Sequence, residues 1–312
     1  MRTTNRLYVA IFIILSLALS GSAQTSDSTK STFKKSNHLV KTVPNSSLTF
    51  KLLNNYMIVL PVTINGQGPF DFLFDSATTT TVIDPEVARL LTLPSLNNNT
   101  PLITIAGNRD LPWTKLNTFN IGNIELNNLP AIIANITEIQ NASRTIKGII
   151  GANASTQFNY LIEYDAQLFQ IESVDEIGAQ LSGTLIRTTR DSGRNIITLK
   201  NADTQQDSLL VLDSAIPEII LFNKATNTLN LKLKRASAHN IGTTNGNTSA
   251  QEVIIQELKF SNDTLITKRS AYLLPSSASI TNRPEHGLLP TRLFHSIYVN
   301  NHENVVILNP KH

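Results

Sequence analysis

The sequence predicts an all-β protein in which one unit occurs twice. Two observations carry this prediction. Apolar runs are short, rich in β-branched residues and bounded by Asn, Gly, Pro and Asp, as strands are. The same landmarks also recur in the same order at an offset of 138–139 residues, and each set contains an apolar strand that ends in Asp-Ser-Ala, at Asp75 and Asp213.

The chain has 312 residues, enough for about two domains. Residues 1–23 read as a secretory signal peptide, with an uncleaved membrane anchor as the other reading. Arg2 and Arg6 precede an apolar stretch from Leu7 to Leu19, and Gly21-Ser22-Ala23 supplies a small-residue cleavage site. The apolar stretch is short of the roughly 20 residues that a membrane span needs. The chain is therefore expected to be secreted or periplasmic. Residues 24–47, rich in Ser, Thr, Lys and Asn, form a flexible spacer, and ordered structure is expected to begin near Leu48-Thr49-Phe50.

The strands expected from there onward include Met57 to Leu60, Phe70 to Phe74, Ile132-Ile133, Ile149-Ile150, Leu209 to Leu212, Ile219 to Phe222 and Val305 to Leu308. A helix is expected over Pro85 to Leu91, with Asp84 at its N-cap and Pro85 in its first turn. Three further pairs set the repeat, each at an offset of 139: Tyr56 to Leu60 with Asn195 to Leu199, Phe119 to Asn123 with Leu258 to Asn262, and Gly148 to Ile150 with Gly287 to Leu289. The copies then span 48–174 and 185–310, joined by a linker near Asp175 to Thr184 that Gly178 and Gly183 punctuate. Copies of one unit tend to pack about a pseudo-twofold axis, where a residue meets its equivalent.

Composition narrows the chemistry. The chain has 26 Lys and Arg against 23 Asp and Glu, a formal net charge of +3. Loss of Arg2 and Arg6 with the signal peptide leaves 24 against 23, or +1. No nucleic-acid or anionic-membrane partner is expected of so neutral a surface. Cysteine is absent, which excludes disulfides, thiolate catalysis and Cys-ligated zinc. No Gly-x-Ser-x-Gly elbow and no His-Glu-x-x-His cluster occurs, so neither a serine hydrolase nor a metal centre is indicated, and His286 reads as a turn residue. No cofactor is expected. Asn-x-Ser/Thr triplets, including those at Asn135 and Asn153, are what an Asn-rich chain contains by composition.

The repeated Asp is the candidate site. In each copy it directly follows apolar residues and precedes a hydroxyl and a small residue: Phe74-Asp75-Ser76-Ala77 and Leu212-Asp213-Ser214-Ala215. A carboxylate there is costly to bury unless it is paired or hydrogen-bonded. Two that meet cannot both ionise easily, so the pair holds a shared proton. One can then act as general base on water and the other as general acid on a substrate carbonyl. The hydroxyls of Ser76 and Ser214 are placed to bond across the axis and fix the two loops.

This arrangement resembles the aspartic protease superfamily of pepsin and the retroviral proteases, in a single-chain, two-lobed bacterial form. That family carries Asp-Thr/Ser-Gly after an apolar strand in each lobe, and Asp75-Ser76 and Asp213-Ser214 match its first two positions. Ile149-Ile150-Gly151 fits the two apolar residues and Gly that follow later, and Leu288-Leu289-Pro290 fits except for its Pro. Ile64 to Pro69, Leu161 to Asp165 and Ser296 to Asn300 also resemble the family, so the likeness covers nearly all of 48–310. It implies two pseudo-twofold-related, closed β-barrel lobes with short helices, the acid protease fold. It also implies a monomeric endopeptidase that acts on polypeptides through Asp75 and Asp213, with no metal.

The sequence departs from the pattern where both motif glycines are alanine, Ala77 and Ala215, and where Ile216 is bulky. Methyl groups there are expected to crowd the catalytic water or the substrate, since Gly tolerates dihedrals and close approaches that Ala does not. The alternative reading is a protease-like module that binds peptides or proteins without cutting them. A covering flap is expected in the first lobe at Ile105 to Trp113, with Gly107 and Asn108 in its turn and Trp113, the only Trp, beside it. An ordinary β-turn with a core Trp is the other reading of that segment.

Overall fold

The computed structural model describes residues 11–12, 16–17, 46–104, 107–172, 178, 181–200, 206–243, 246–260, 264–275 and 283–310. The expected signal peptide, spacer and linker lie largely outside the described residues. The fold is all-β with a few short helices. The helix expected after Asp84 spans Pro85–Leu90, with Asp84 Oδ1 accepting from the Glu86 backbone N–H at 2.8 Å.

Two nine-stranded sheets have the same strand order. The first runs Ser16–Leu17, Leu96–Thr104, Gly107–Ile121, Ile124–Ile133, Thr81–Ile83, Ile146–Ile150, Gln67–Phe74, Met57–Ile64, Lys51–Leu53. The second runs Ile11–Phe12, Leu231–Thr243, Gly246–Phe260, Thr264–Leu273, Ile219–Leu221, Gly287–Pro290, Asp207–Asp213, Arg194–Lys200, Thr189–Asp191. An extra pairing recurs as well: Gly107–Ile121 with Met57–Ile64, and Gly246–Phe260 with Arg194–Lys200. The strands Gly107–Ile121 and Gly246–Phe260 begin and end at the 139-residue offset that the landmarks gave.

A third sheet takes three strands from each half. Its order is Thr184–Arg187, Val305–Pro310, Phe294–Asn300, Asn159–Glu163, Leu168–Glu172, Ser46–Thr49. The halves meet at its centre, where Tyr160 pairs with Val299 and Glu163 with Ser296.

The strands around Asp75 and Asp213 are continuous apolar runs because both of their faces are covered. Side chains alternate across a strand, and the two faces fill different cores. Ile58, Leu60, Phe72, Phe74 and Ile150 enter one large cluster, together with Ile197, Leu199, Leu210, Leu212 and Leu289 from the second half. The intervening Met57, Val59, Leu73 and Ile149 form a separate cluster over the first sheet. Ile196, Val211, Ile220 and Leu288 form its counterpart over the second. One shared core thus joins the halves, and each keeps a private one on the far face.

Close packing fixes particular residues. A Cβ on Gly148 would stand 2.2 Å from Phe72 Cε1 and 2.5 Å from the Val82 carbonyl oxygen. The Gly148→Ala variant should therefore lose about 1–3 kcal/mol of stability, in the range of overpacking a well-filled core, read as a lower urea midpoint.

Candidate active site

In the first half Ile146–Ile150 lies between two neighbours, parallel to Gln67–Phe74 and antiparallel to Thr81–Ile83. The chain leaves the first neighbour at Asp75 and re-enters the sheet at Thr81, so the intervening loop crosses the end of Ile146–Ile150. The Asp75 N–H anchors this loop to the Ile150 carbonyl at 3.1 Å. Ala152 and Asn153 N–H groups donate to the Thr78 and Thr79 carbonyls at 2.7 and 3.0 Å. Gly151 has no room for a side chain, because a Cβ would lie 2.5 Å from the Thr80 carbonyl carbon. The second half repeats the arrangement with Gly287–Pro290 between Asp207–Asp213 and Ile219–Leu221.

The two loops interlock through their serines. Ser76 Oγ donates to the Leu212 carbonyl at 2.8 Å and accepts from the Ser214 N–H at 3.1 Å. Ser214 Oγ donates to the Phe74 carbonyl at 2.8 Å and accepts from the Ser76 N–H at 3.1 Å. Each hydroxyl bonds the other loop on both sides of its Asp. These crossed bonds bring Asp75 and Asp213 together, both with almost no exposed surface.

The carboxyls are equivalent in sequence and unequal in surroundings. Asp75 Oδ1 accepts from the Ala77 and Thr78 N–H groups, each at 3.0 Å, and Oδ2 accepts from the Thr78 hydroxyl at 2.7 Å. Asp213 Oδ1 accepts from the Ala215 N–H at 2.8 Å, and the position of Thr78 is taken by Ile216, which has no hydroxyl to offer. Burial pushes Asp75 up to about 6, against the pull of these hydrogen bonds. Burial first, and then the charge of Asp75, hold Asp213 well above the ordinary carboxylate range. With three hydrogen bonds against one, Asp75 is the better-supported anion of the pair.

The alanines do not distort the loops. Neither Ala77 nor Ala215 has a positive φ, so neither position needs the freedom of glycine. Their methyl groups are buried in the opposite half. Ala77 belongs to the cluster of Ile196, Val211, Ile216 and Leu288, and Ala215 to that of Met57, Val59, Leu73 and Ile149. The methyl groups thus gain apolar packing across the boundary, and Ile216 fills the same cluster as Ala77.

The expected flap is a hairpin of Leu96–Thr104 and Gly107–Ile121, with one correction. Thr104 pairs with Gly107 and Ile103 with Asn108, so these residues open the returning strand and the connection is 105–106, outside the described residues. Trp113 is half-buried lower in the hairpin, paired with Leu96 and Ile132. Sequence reasoning missed a second hairpin of matching design, Leu231–Thr243 with Gly246–Phe260, although Gly246 lies 139 residues after Gly107. It also missed Thr78 and Asn153. Asn153 Oδ1 accepts from the Thr81 N–H and hydroxyl at 2.8 and 2.9 Å, and its amide donates to the Pro130 carbonyl at 2.8 Å. The Asn135 side chain likewise accepts from the Thr137 N–H at 2.8 Å. Both had been assigned to composition alone.

A family model described as aspartyl protease matches residues 60–154, the stretch that contains Asp75, its loop and Gly151. No curated protein matches the chain.

Two measurements probe this geometry. Ser76→Ala and Ser214→Ala should each cost about 1–3 kcal/mol, because each leaves buried backbone groups unpaired. The double variant should cost clearly less than the sum in a double-mutant cycle, since both residues serve one network. The sign of the pH effect is also fixed. The folded-state value of Asp75, about 6, lies above its ordinary 3.8. Its contribution to stability is therefore complete below about pH 4 and lost as pH rises through about 6. Asp75→Asn should raise the urea midpoint at pH 7 and change it little at pH 4.

Proposed function

We propose that the chain is an aspartic-type endopeptidase that hydrolyses peptide bonds with water activated between Asp75 and Asp213. The observation that carries this reading is the buried carboxyl pair held by crossed serine bonds. The match of residues 60–154 to the aspartyl protease family supports it. In this reading the halves are closed, twofold-related lobes of the retropepsin type, and the repeated strand order and extra pairings support that view.

The chemistry follows from the unequal carboxyls. Asp75, ionised first, accepts a proton from water as the oxygen attacks the scissile carbonyl carbon. Asp213 gives its proton to the carbonyl oxygen, forming a gem-diol. Collapse of that intermediate returns a proton to Asp213, the C–N bond breaks, and the leaving nitrogen takes the proton held by Asp75. The pair ends as it began, with one proton.

An extended polypeptide suits the hairpins. Their outer strands already accept added strands, since Ile11–Phe12 lies parallel to Gly242–Thr243 and Ser16–Leu17 antiparallel to Leu102–Ile103. One extended segment between two twofold-related hairpins must run parallel to one and antiparallel to the other, and backbone pairing of this kind gives affinity with little sequence demand. We place the activity outside the cytoplasm, after export.

The test is cleavage of an unfolded polypeptide such as casein across pH 3–9. Asp75→Asn and Asp213→Asn should each reduce the rate by more than about a hundredfold, in the range of general acid–base catalysis. Activity that survives Asp75→Asn would sink the proposal. The rate should rise as pH passes about 6, where Asp75 ionises, and fall at higher pH once Asp213 loses its proton.

A further inference from the structure

The two halves differ most sharply across the sheet from the carboxyls. In the first half Val59 pairs with Leu73, so the register carried two residues further sets Met57 opposite Asp75. In the second half Ile196 pairs with Val211, and the same step sets Arg194 opposite Asp213, so the sheet register matches Met57 with Arg194 at an offset of 137 and corrects by two residues the sequence match of Met57 with Ile196. Met57 and Arg194 are both fully buried. Met57 packs with Ile146 in the private cluster of the first half. The residue 139 positions after Ile146 is Glu285, also fully buried, and it accepts from Arg194 Nη1 at 2.9 Å. Where one half has a methionine and an isoleucine, the other therefore has an arginine and a glutamate.

A fully desolvated guanidinium is held in this position deliberately by its neighbours. Arg194 Nε donates to the Asp191 carbonyl at 3.3 Å, and Nη2 donates to the Asp191 carboxylate. Arg283 Nη1 stands 3.3 Å from the same Glu285 oxygen that Arg194 bonds. Glu285 Oε2 is buried with no hydrogen-bond partner. A buried ion network of this kind seldom adds stability over an apolar filling, and the first half supplies that filling in Met57 and Ile146.

We infer that Arg194 is a positioning residue of the carboxyl pair: a buried cation that favours the Asp213 anion as the Thr78 hydrogen bonds favour the Asp75 anion, with Glu285 as the counter-charge that sets its strength. The inference rests on the proposed peptidase reading for its catalytic meaning, though not for its electrostatics. Asp213 must give up its proton in the cycle, and Ile216 leaves it without a hydroxyl donor of the Thr78 kind. The positive charge of Arg194 acts in the required direction on Asp213. The other charged or titratable groups acting here are Asp75 and Tyr164 on Asp213, Asp191 and Arg283 beside the guanidinium, and Lys224 and His286 near Glu285.

The test is a ¹³C-carboxyl NMR titration of the full chain without substrate, paired with the pH profile of casein cleavage. The Arg194→Met/Glu285→Ile chain copies the first half and removes both charges together. In it Asp213 should titrate higher, because the cation opposite it is lost and removal of Glu285, bonded to that cation, offsets the loss only in part. The alkaline limb of kcat/KM should move up with it. Glu285→Gln frees the guanidinium from its counter-charge and should move both downward. Arg194→Lys keeps the charge and should restore values near those of the wild-type chain. If the double variant does not fold, Glu285→Gln and Arg194→Lys still decide the sign. An Asp213 titration that Glu285→Gln leaves unmoved, or moves upward, overturns the inference. Shifts in the expected directions without cleavage by any chain support the inference and overturn the peptidase reading instead.

Discussion

Two carboxyls with no solvent shell depend on the four hydrogen bonds by which Ser76 and Ser214 cross between the loops. Without an opposing loop each serine would leave a buried hydroxyl unpaired, and each Asp would sit at the end of a strand facing water. With the loops crossed, the hydroxyls bond the Leu212 and Phe74 carbonyls, the residues immediately before the two Asp positions. The constraint runs in both directions. The bonds fix where the carboxyls meet, and the cost of burying two acidic groups is tolerable only because the surrounding backbone is already paired.

That precision needs a rigid foundation, which the shared core supplies. Phe74 carries the carbonyl that Ser214 holds, and its ring lies against Tyr160 and Phe169 at centroid separations of 5.2 and 4.9 Å. Tyr160 belongs to the sheet that joins the halves and pairs with Val299. A displacement of one half would thus disturb the aromatic packing behind Asp75 as well as the serine bonds in front of it. The alanine methyls add a third tie, since each is buried in the private cluster of the opposite half.

The strands and the duplication were legible because they rest on local rules. A run such as Met57 to Leu60 has room only in a strand covered on both faces, and a fixed offset survives whatever the loops do. The serine crossing was also legible, because a short polar side chain next to each repeated Asp has few partners other than the opposing loop. The tolerance of Ala77 was not, because it depends on Val211, Ile216 and Leu288, residues more than 130 positions away. The turn of the first hairpin was misplaced by two residues for a similar reason. Glycine and asparagine mark turns locally, yet the pairing of Thr104 with Gly107 gives the connection to the residues before them. The second hairpin is legible through the repeat, which sets Gly246 139 residues after Gly107.

Duplication supplies two sheets of one strand order, and the proposed acid–base chemistry asks them for two different groups. Two carboxyls in identical surroundings would compete equally for one proton, and neither would have a settled part. The chain separates them with few changes. Thr78 against Ile216 gives Asp75 hydroxyl support that Asp213 lacks, and this favours the Asp75 anion. Met57 against Arg194 works in the opposite sense, returning to Asp213 by charge part of what it lost in hydrogen bonds. Charge acts through low-dielectric protein without occupying the face of the carboxyl, whereas a hydroxyl takes one of its oxygens. A cation opposite Asp213 therefore supports its anion without occupying either oxygen beyond the Oδ1 that the Ala215 N–H already bonds, which in the proposed reading suits the member of the pair that delivers the proton.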